Sequence, residues 1–221
     1  MKKNVLLLIL SITITLSFAQ RTKAVYGGFG WFESGIQLTD LENLNNELKT
    51  VYGTDLNETF ITYGGGGFGV MKNLMIGGEG KGFQTNSASG NNTSITITGG
   101  YGLFDVGYVV YHNRKLSVFP KIGFGAGGLT LETADKDSEF GDALSLGSTS
   151  TMTYDTYLLD AGFGLLYQVS NWMLGLRAGY LYALSDDKWV AAEVDLDKGP
   201  AINLTGLYVK LTIGGGGIGR Y

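Results

Sequence analysis

The sequence predicts an all-β protein: a closed, antiparallel, up-and-down transmembrane β-barrel, most simply of eight strands, with one short helix in its first long loop. Three observations predict it. Eight segments alternate apolar residues with polar ones or glycine at a period of two. The connections between them alternate short and long without exception, as the two sides of a membrane barrel require. Although 44% of the chain is apolar, no segment beyond the amino-terminal stretch reaches the roughly 18 apolar residues of a spanning helix. A membrane location therefore demands a barrel, because only a closed sheet leaves no unpaired backbone in hydrocarbon.

The chain opens as a secretory signal. Lys2 and Lys3 form the charged start, Val5 to Leu16 the apolar stretch, and Ser17-Phe18-Ala19 the small-residue cleavage context. Cleavage after Ala19 divides the chain into a signal peptide, 1–19, and a barrel domain, 20–221. Cysteine is absent, which excludes a disulfide framework, thiolate metal sites and a lipidated cysteine. Glycine, at 36 of 221 residues, is about twice its ordinary usage without the period of collagen.

The strands are expected near 24–33, 58–70, 74–84, 95–111, 115–131, 152–169, 172–184 and 203–217. Met71-Lys72-Asn73, His112-Asn113-Arg114 and Ser170-Asn171 read as tight turns, and 34–57, 85–94, 132–151 and 185–202 as long polar loops. Charge follows the same division. Arg21, Lys23, Lys72, Arg114, Lys115 and Arg220 fall at the short-turn end, which has no acid, whereas the long loops are rich in Asp and Glu and hold only four lysines. With short turns and chain ends in the periplasm, one rim is basic and the other acidic.

Three strands give clear faces. Tyr157, Leu159, Ala161, Phe163, Leu165, Tyr167 and Val169 alternate with Asp160, Gly162, Gly164 and Gln168. Trp172, Leu174, Leu176, Ala178, Tyr180, Tyr182 and Leu184 alternate with Met173, Gly175, Arg177 and Gly179. Leu207, Val209, Leu211 and Ile213 alternate with Gly206, Tyr208, Lys210 and Thr212. The apolar sets face lipid and the others the lumen, with aromatics in interfacial girdles. Glycine has a reason in such a lumen, which is just wide enough for side chains to fill: Gly78 or Gly80, and Gly162, Gly164, Gly175, Gly179 and Gly214, are expected to stand inside against bulky residues. Elsewhere the pattern is broken. The apolar set in 95–111 changes parity around Gly99-Gly100, by a bulge or a shifted boundary. Pro120 inside a strand calls for a bulge near the rim. The segment 188–196 either extends a strand above the membrane or adds a hairpin, giving ten strands.

The candidate site is a charge network in the lumen: Glu79, Lys81, Asp105, Lys121, Asp160, Arg177 and Lys210. Charges in so narrow a space must pair. They form either a polar plug or a gated path for ions or small solutes. A second candidate is the helix in 39–53, with Thr39 and Glu42 as its capping box, Leu41, Leu44, Leu48 and Val51 on one face, and Gly53 as its stop. It reads as a lid on the barrel mouth. Catalysis is not expected, since His112 is the only histidine and lies at the rim opposite the acidic loops. No metal or other cofactor is expected: one histidine makes no cluster, and Asp135, Asp137, Glu139 and Asp142 lack the order of a calcium loop. The glycine tracts 64–67 and 214–217 lead into no helix and are not phosphate loops. An acidic chain, net −4, without a basic aromatic surface is no nucleic-acid binder.

With its "GGGGFG" and "IGGEGKGF" strands the chain resembles the small outer-membrane β-barrel proteins of Gram-negative bacteria, and in particular glycine-rich barrels common in the Bacteroidetes. The resemblance, spanning Val25 to Tyr221, implies insertion into the outer membrane, contact with its lipid and lipopolysaccharide, and recognition by the barrel assembly machinery through a terminal aromatic, here Tyr221. It supplies no catalytic residues. Three functions follow: a structural or surface-interaction barrel with a plugged lumen and acidic extracellular loops, a narrow channel or transporter, or a soluble secreted barrel holding an apolar ligand.

Overall fold

Period-two alternation resolves into a single closed sheet in the computed structural model, which describes residues 24–85, 87–135, 149–184, 189–191, 194–196 and 204–220. The long strands are β1 (Val25–Leu38), β2 (Thr59–Met71), β3 (Leu74–Gln84), β5 (Thr93–Tyr108), β7 (Leu116–Asp135), β8 (Thr149–Val169), β9 (Trp172–Leu184) and β12 (Gly206–Arg220). Each pairs antiparallel with the next, and β1 pairs with both β2 and β12, so the barrel is closed at eight strands. Short strands continue this wall. The strand β4 (Ala88–Gly90) pairs with β5, β6 (Tyr111–Asn113) with β7, and β10 (Trp189–Ala191) with β8 and with β11 (Val194–Leu196). The segment 188–196 thus builds the wall upward at its described positions rather than adding membrane strands. The helix α1 (Glu42–Tyr52) lies between β1 and β2. The expected signal peptide and the loop acids Asp137, Glu139 and Asp142 lie outside the described residues.

The turns follow backbone chemistry. Lys72 and Asn73, with φ of 50° and 72°, form the two-residue turn that the twist of a hairpin favours. The next hairpin closes later than expected: Asn113 pairs with Leu116, so the turn is Arg114-Lys115 and His112 belongs to β6. The bulge required by Pro120 is present. Gly107 pairs with Lys121 but Tyr111 with Val118, with three intervening residues on one strand against two on the other, and Val110 N–H donates to Val118 O at 3.0 Å. A residue without an N–H sits where the ladder is already interrupted.

No bulge occurs at Gly99-Gly100. The register of β5 against β3 and β7 is unbroken, and Ile95, Ile97, Tyr101 and Leu103 all point inward. The apparent change of parity arose because the lumen is apolar at that height. The faces of the other strands are as expected, with Phe163, Trp172, Tyr182 and Leu211 exposed on the outer wall. An apolar belt outside and ions inside is the pattern of a membrane-integral barrel rather than a soluble one.

Glycine serves the interior, though not everywhere it was expected to. A Cβ on Gly162 or Gly179 would meet Tyr208 Oη at 2.5 Å, and one on Gly164 would strike the Phe119 ring. Small and large residues alternate there around the lumen. Gly78 and Gly80 instead lie on the outer face, since their neighbours Glu79 and Lys81 are buried and the side-chain period is two.

Candidate functional site: an ionic layer between two apolar clusters

All seven charged residues expected in the lumen are buried there, and Glu33 joins them, making four acids and four bases. They come from seven strands at mid-height: Glu33 on β1, Glu79 and Lys81 on β3, Asp105 on β5, Lys121 on β7, Asp160 on β8, Arg177 on β9 and Lys210 on β12. Every one has a glycine as a cross-strand partner: Gly64 for Glu33 and Lys81, Gly66 for Glu79, Gly123 for Asp105 and Asp160, Gly162 for Lys121, Gly164 for Arg177 and Gly35 for Lys210. Opposite residues in a sheet have Cβ atoms only about 5 Å apart. A glycine in that place lets a long ionic side chain lie across the neighbouring strand and reach a partner one strand further on. Lys81 does this over Gly64, meeting Glu33 at 3.0 Å.

The pairs form one network. The Lys121 ammonium contacts Glu79, Asp105 and Asp160 at 2.9, 3.0 and 2.7 Å. Glu79 also accepts from Lys81, and from Arg177 Nη1 at 2.7 Å, so it serves three bases. Arg177 lies over the Trp31 ring at 3.9 Å, and Trp31 Nε1 donates to Glu33. Lys210 differs from the other bases. It has no carboxylate within ion-pair distance among the described residues, but donates to Tyr101 Oη at 3.2 Å and stands 3.8 Å over the ring of Tyr208, whose hydroxyl donates to Asp160.

Capacity for hydrogen bonding is left over. Asp105 Oδ2, Asp160 Oδ1, and Arg177 Nε and Nη2 are buried without a hydrogen-bond partner among the described residues. Oxygens of Glu79, Asp105 and Asp160 lie within 4.8 Å of one another, close enough to surround a cation. The Lys121 ammonium already bonds to all three, so a tethered cation fills the place that a metal ion would take.

Apolar clusters pack on both sides of the ionic layer. Toward the short turns, Phe29, Trp31, Phe68, Met75, Phe119 and Met173 pack together. Toward the long loops, Phe60, Phe83, Ile95, Ile97, Leu158 and Leu181 form the walls of a cluster roofed by α1 through Leu41, Leu44 and Leu48. The helix packs on the barrel wall through these three leucines, and it departs from the sequence reading in two respects. Val51 is 58% exposed and takes no part in docking; it lies beyond the face that Leu44 and Leu48 bury. The cap is not Thr39 either, because Leu41 occupies the cap position and the Glu42 N–H is met by Asp40 Oδ1 at 3.2 Å. Gly53 ends the helix at φ 69° as expected. Asn45, overlooked in an apolar pattern, pins the helix: its side chain donates to Leu56 O and accepts from Leu56 N at 3.1 and 2.8 Å.

No protein family matches the chain, and neither does any curated protein. Among solved structures, it is similar to a major outer membrane protein from Thermus thermophilus, at 11% identity and a TM-score of 0.54, over 89% of this chain and 100% of that one. The fold is that of an outer-membrane β-barrel. The chain is also similar to Ail, the attachment invasion locus protein of Yersinia pestis, at 12% identity and a TM-score of 0.46, over 88% of this chain and 99% of that one. A further similar structure is OprG from Pseudomonas aeruginosa, at 12% identity and a TM-score of 0.45, over 88% and 96% of the two chains.

In that fold the short-turn end faces the periplasm. His112 lies there, its Nδ1 2.9 Å from Ser117 Oγ and its carbonyl accepting from Arg220. Asn73 closes the same end, donating its N–H to Val25 O and accepting from Val25 N at 2.7 Å.

Proposed function

We propose that this protein is a narrow, gated conduit for ions or small solutes across the outer membrane, with the ionic layer as its constriction and α1 as its outer gate. The observation that carries this is the mid-lumen layer of four acids and four bases, some of whose polar atoms are unsatisfied, between two well-packed apolar clusters. If the interior had only to be filled, apolar residues would serve. Replacing buried ion pairs with them is often neutral or stabilising by about 1–4 kcal/mol. Ionisable groups kept inside a membrane protein despite that cost are by default functional. Glu79, shared among Lys81, Lys121 and Arg177, is the group whose exchange of partners opens the constriction.

The two packed apolar clusters also support a second reading, a structural or surface-interaction barrel with a plugged lumen that presents acidic loops. Both readings include export by a cleaved signal peptide, a location in the outer membrane, kinship with Bacteroidetes-like glycine-rich barrels, and no enzymatic activity. Conductance across planar bilayers separates them. The conduit reading expects rare openings of the wild type, frequent openings of the Leu44→Asp/Leu48→Asp variant, and altered ion selectivity when Arg177 or Lys210 is also replaced. A folded double variant that passes no current leaves the structural reading in its place.

A further inference from the structure

Most of the described bases at the short-turn rim are left without a partner; the exception is Arg220, which donates to the His112 carbonyl. Lys72 lies in the β2–β3 turn and Arg114 and Lys115 in the β6–β7 turn; because β3 and β5 pair, these are neighbouring turns of the periplasmic rim. The third short turn, Ser170-Asn171, carries no charge, so these three turn bases occupy one sector. All three are exposed, and none makes an ion pair or side-chain hydrogen bond among the described residues. The described residues at this end include no acid. The buried network is the opposite case, since three of its four bases hold carboxylates.

We infer that this sector binds the phosphodiester headgroups of anionic phospholipids in the periplasmic leaflet of the outer membrane. Depth supports the assignment. Met71, Leu74 and Tyr111, exposed at 64%, 38% and 48%, end the lipid-facing belt beside the bases. A strand rises about 3.3 Å per residue, so ammonium and guanidinium groups one to three residues past that edge lie at the level of lipid phosphates. Arg114 can grip a phosphate through two parallel N–H bonds and the two lysines add point charges. Turns kept merely soluble need both signs interspersed, and these have one. The phosphates of the outer leaflet are poorer candidates, because the opposite rim carries Asp40, Glu42, Asp55 and Glu58.

The test uses the full barrel in phosphatidylcholine bilayers with spin-labelled phosphatidylglycerol or phosphatidylcholine as the probe. At low salt the wild type should hold the anionic probe several-fold more strongly, each base contributing up to about five-fold. Lys72→Gln/Arg114→Gln/Lys115→Gln, folded as judged by heat-modifiable migration, should hold both probes equally, and molar salt should equalise them for the wild type. Equal retention by the wild type, or an undiminished preference in the triple variant, overturns the inference. So does loss of co-sedimentation with isolated peptidoglycan in the triple variant at unchanged lipid preference, which would make the rim a wall-binding surface. None of these outcomes depends on whether the lumen conducts.

Discussion

Asp105 and Asp160 stand on either side of Gly123, each paired with it across the sheet, and both carboxylates reach the Lys121 ammonium two residues along the central strand. Two acids lean over a glycine toward one base, and the missing side chain makes that possible. A Cβ at Gly123 would meet Asp105 Oδ1 at 2.4 Å and Asp160 Cβ at 3.2 Å. Gly123→Ala should therefore destabilise the barrel by about 1–3 kcal/mol, the usual cost of overpacking. Gly80 is the control: a Cβ there meets nothing within 4 Å. Gly80→Ala should be neutral or stabilise by up to about 1 kcal/mol through the lost backbone entropy of glycine. Urea unfolding in lipid, followed by tryptophan fluorescence, gives the comparison; equal effects at the two sites would remove the explanation of the glycines.

Lys121 acts as the cation of a three-carboxylate cage, and its removal should show it. Lys121→Met leaves Glu79, Asp105 and Asp160 facing one another without their shared partner. Breaking one side of a buried ion cluster costs about 3–5 kcal/mol. Oxygen ligands at this spacing suit a hard divalent ion, so millimolar calcium should raise the variant's unfolding midpoint and leave that of the wild type unchanged. A variant as stable as the wild type, or equally indifferent to calcium, contradicts this account.

At the periplasmic end the pH response should run through His112. Burial and the neighbouring Arg220 charge both hold its pKa below the ordinary value. The unfolded chain then binds the proton more readily than the folded one, so His112 contributes stability above about pH 6.5 and loses it as the pH falls toward and through the folded-state value. Unfolding midpoints of wild type and His112→Gln, measured from neutral to mildly acid pH, should separate most at neutral pH if the neutral ring's contact with Ser117 matters. They should converge on acidification. A gap that widens with acid would reverse the sign and remove His112 as its source.

Sequence periodicity located the lumen charges because Asp160, Arg177 and Lys210 interrupt regular apolar alternation, and a slip of one residue would put all of them into lipid. Glu33 was missed at the other limit. Its strand runs to Leu38, but the polar sequence beyond it reads as loop, although Phe29, Trp31 and Glu33 continue one face. Ile95 and Ile97 misled for another reason: the expectation of a uniformly polar lumen turned an unbroken strand into an apparent change of face. Gly78 and Gly80 show the remaining gap. Glycine has no hydropathy with which to declare a side, so only the parity of Glu79 and Lys81 could have placed them.

The lid separates what a helical pattern can foretell from what packing decides. Leu44 and Leu48 are buried against the wall cluster, while Val51, on the same nominal stripe, is mostly exposed. Leu44→Asp/Leu48→Asp puts two carboxylates into an apolar roof and should cost several kcal/mol, since each would be buried without a partner. Lifting α1 is the cheaper response. Asn45 then loses its grip on Leu56, and the chain around Lys49, already exposed and paired with Asp55 at the surface, becomes a good tryptic site. Val51→Asp should leave cleavage at Lys49 at the wild-type rate. Limited trypsinolysis of the three proteins in detergent, read by mass spectrometry, distinguishes the cases: fast cleavage at Lys49 in the double variant alone means that the two buried leucines hold the lid shut, and equal rates in all three mean that they do not.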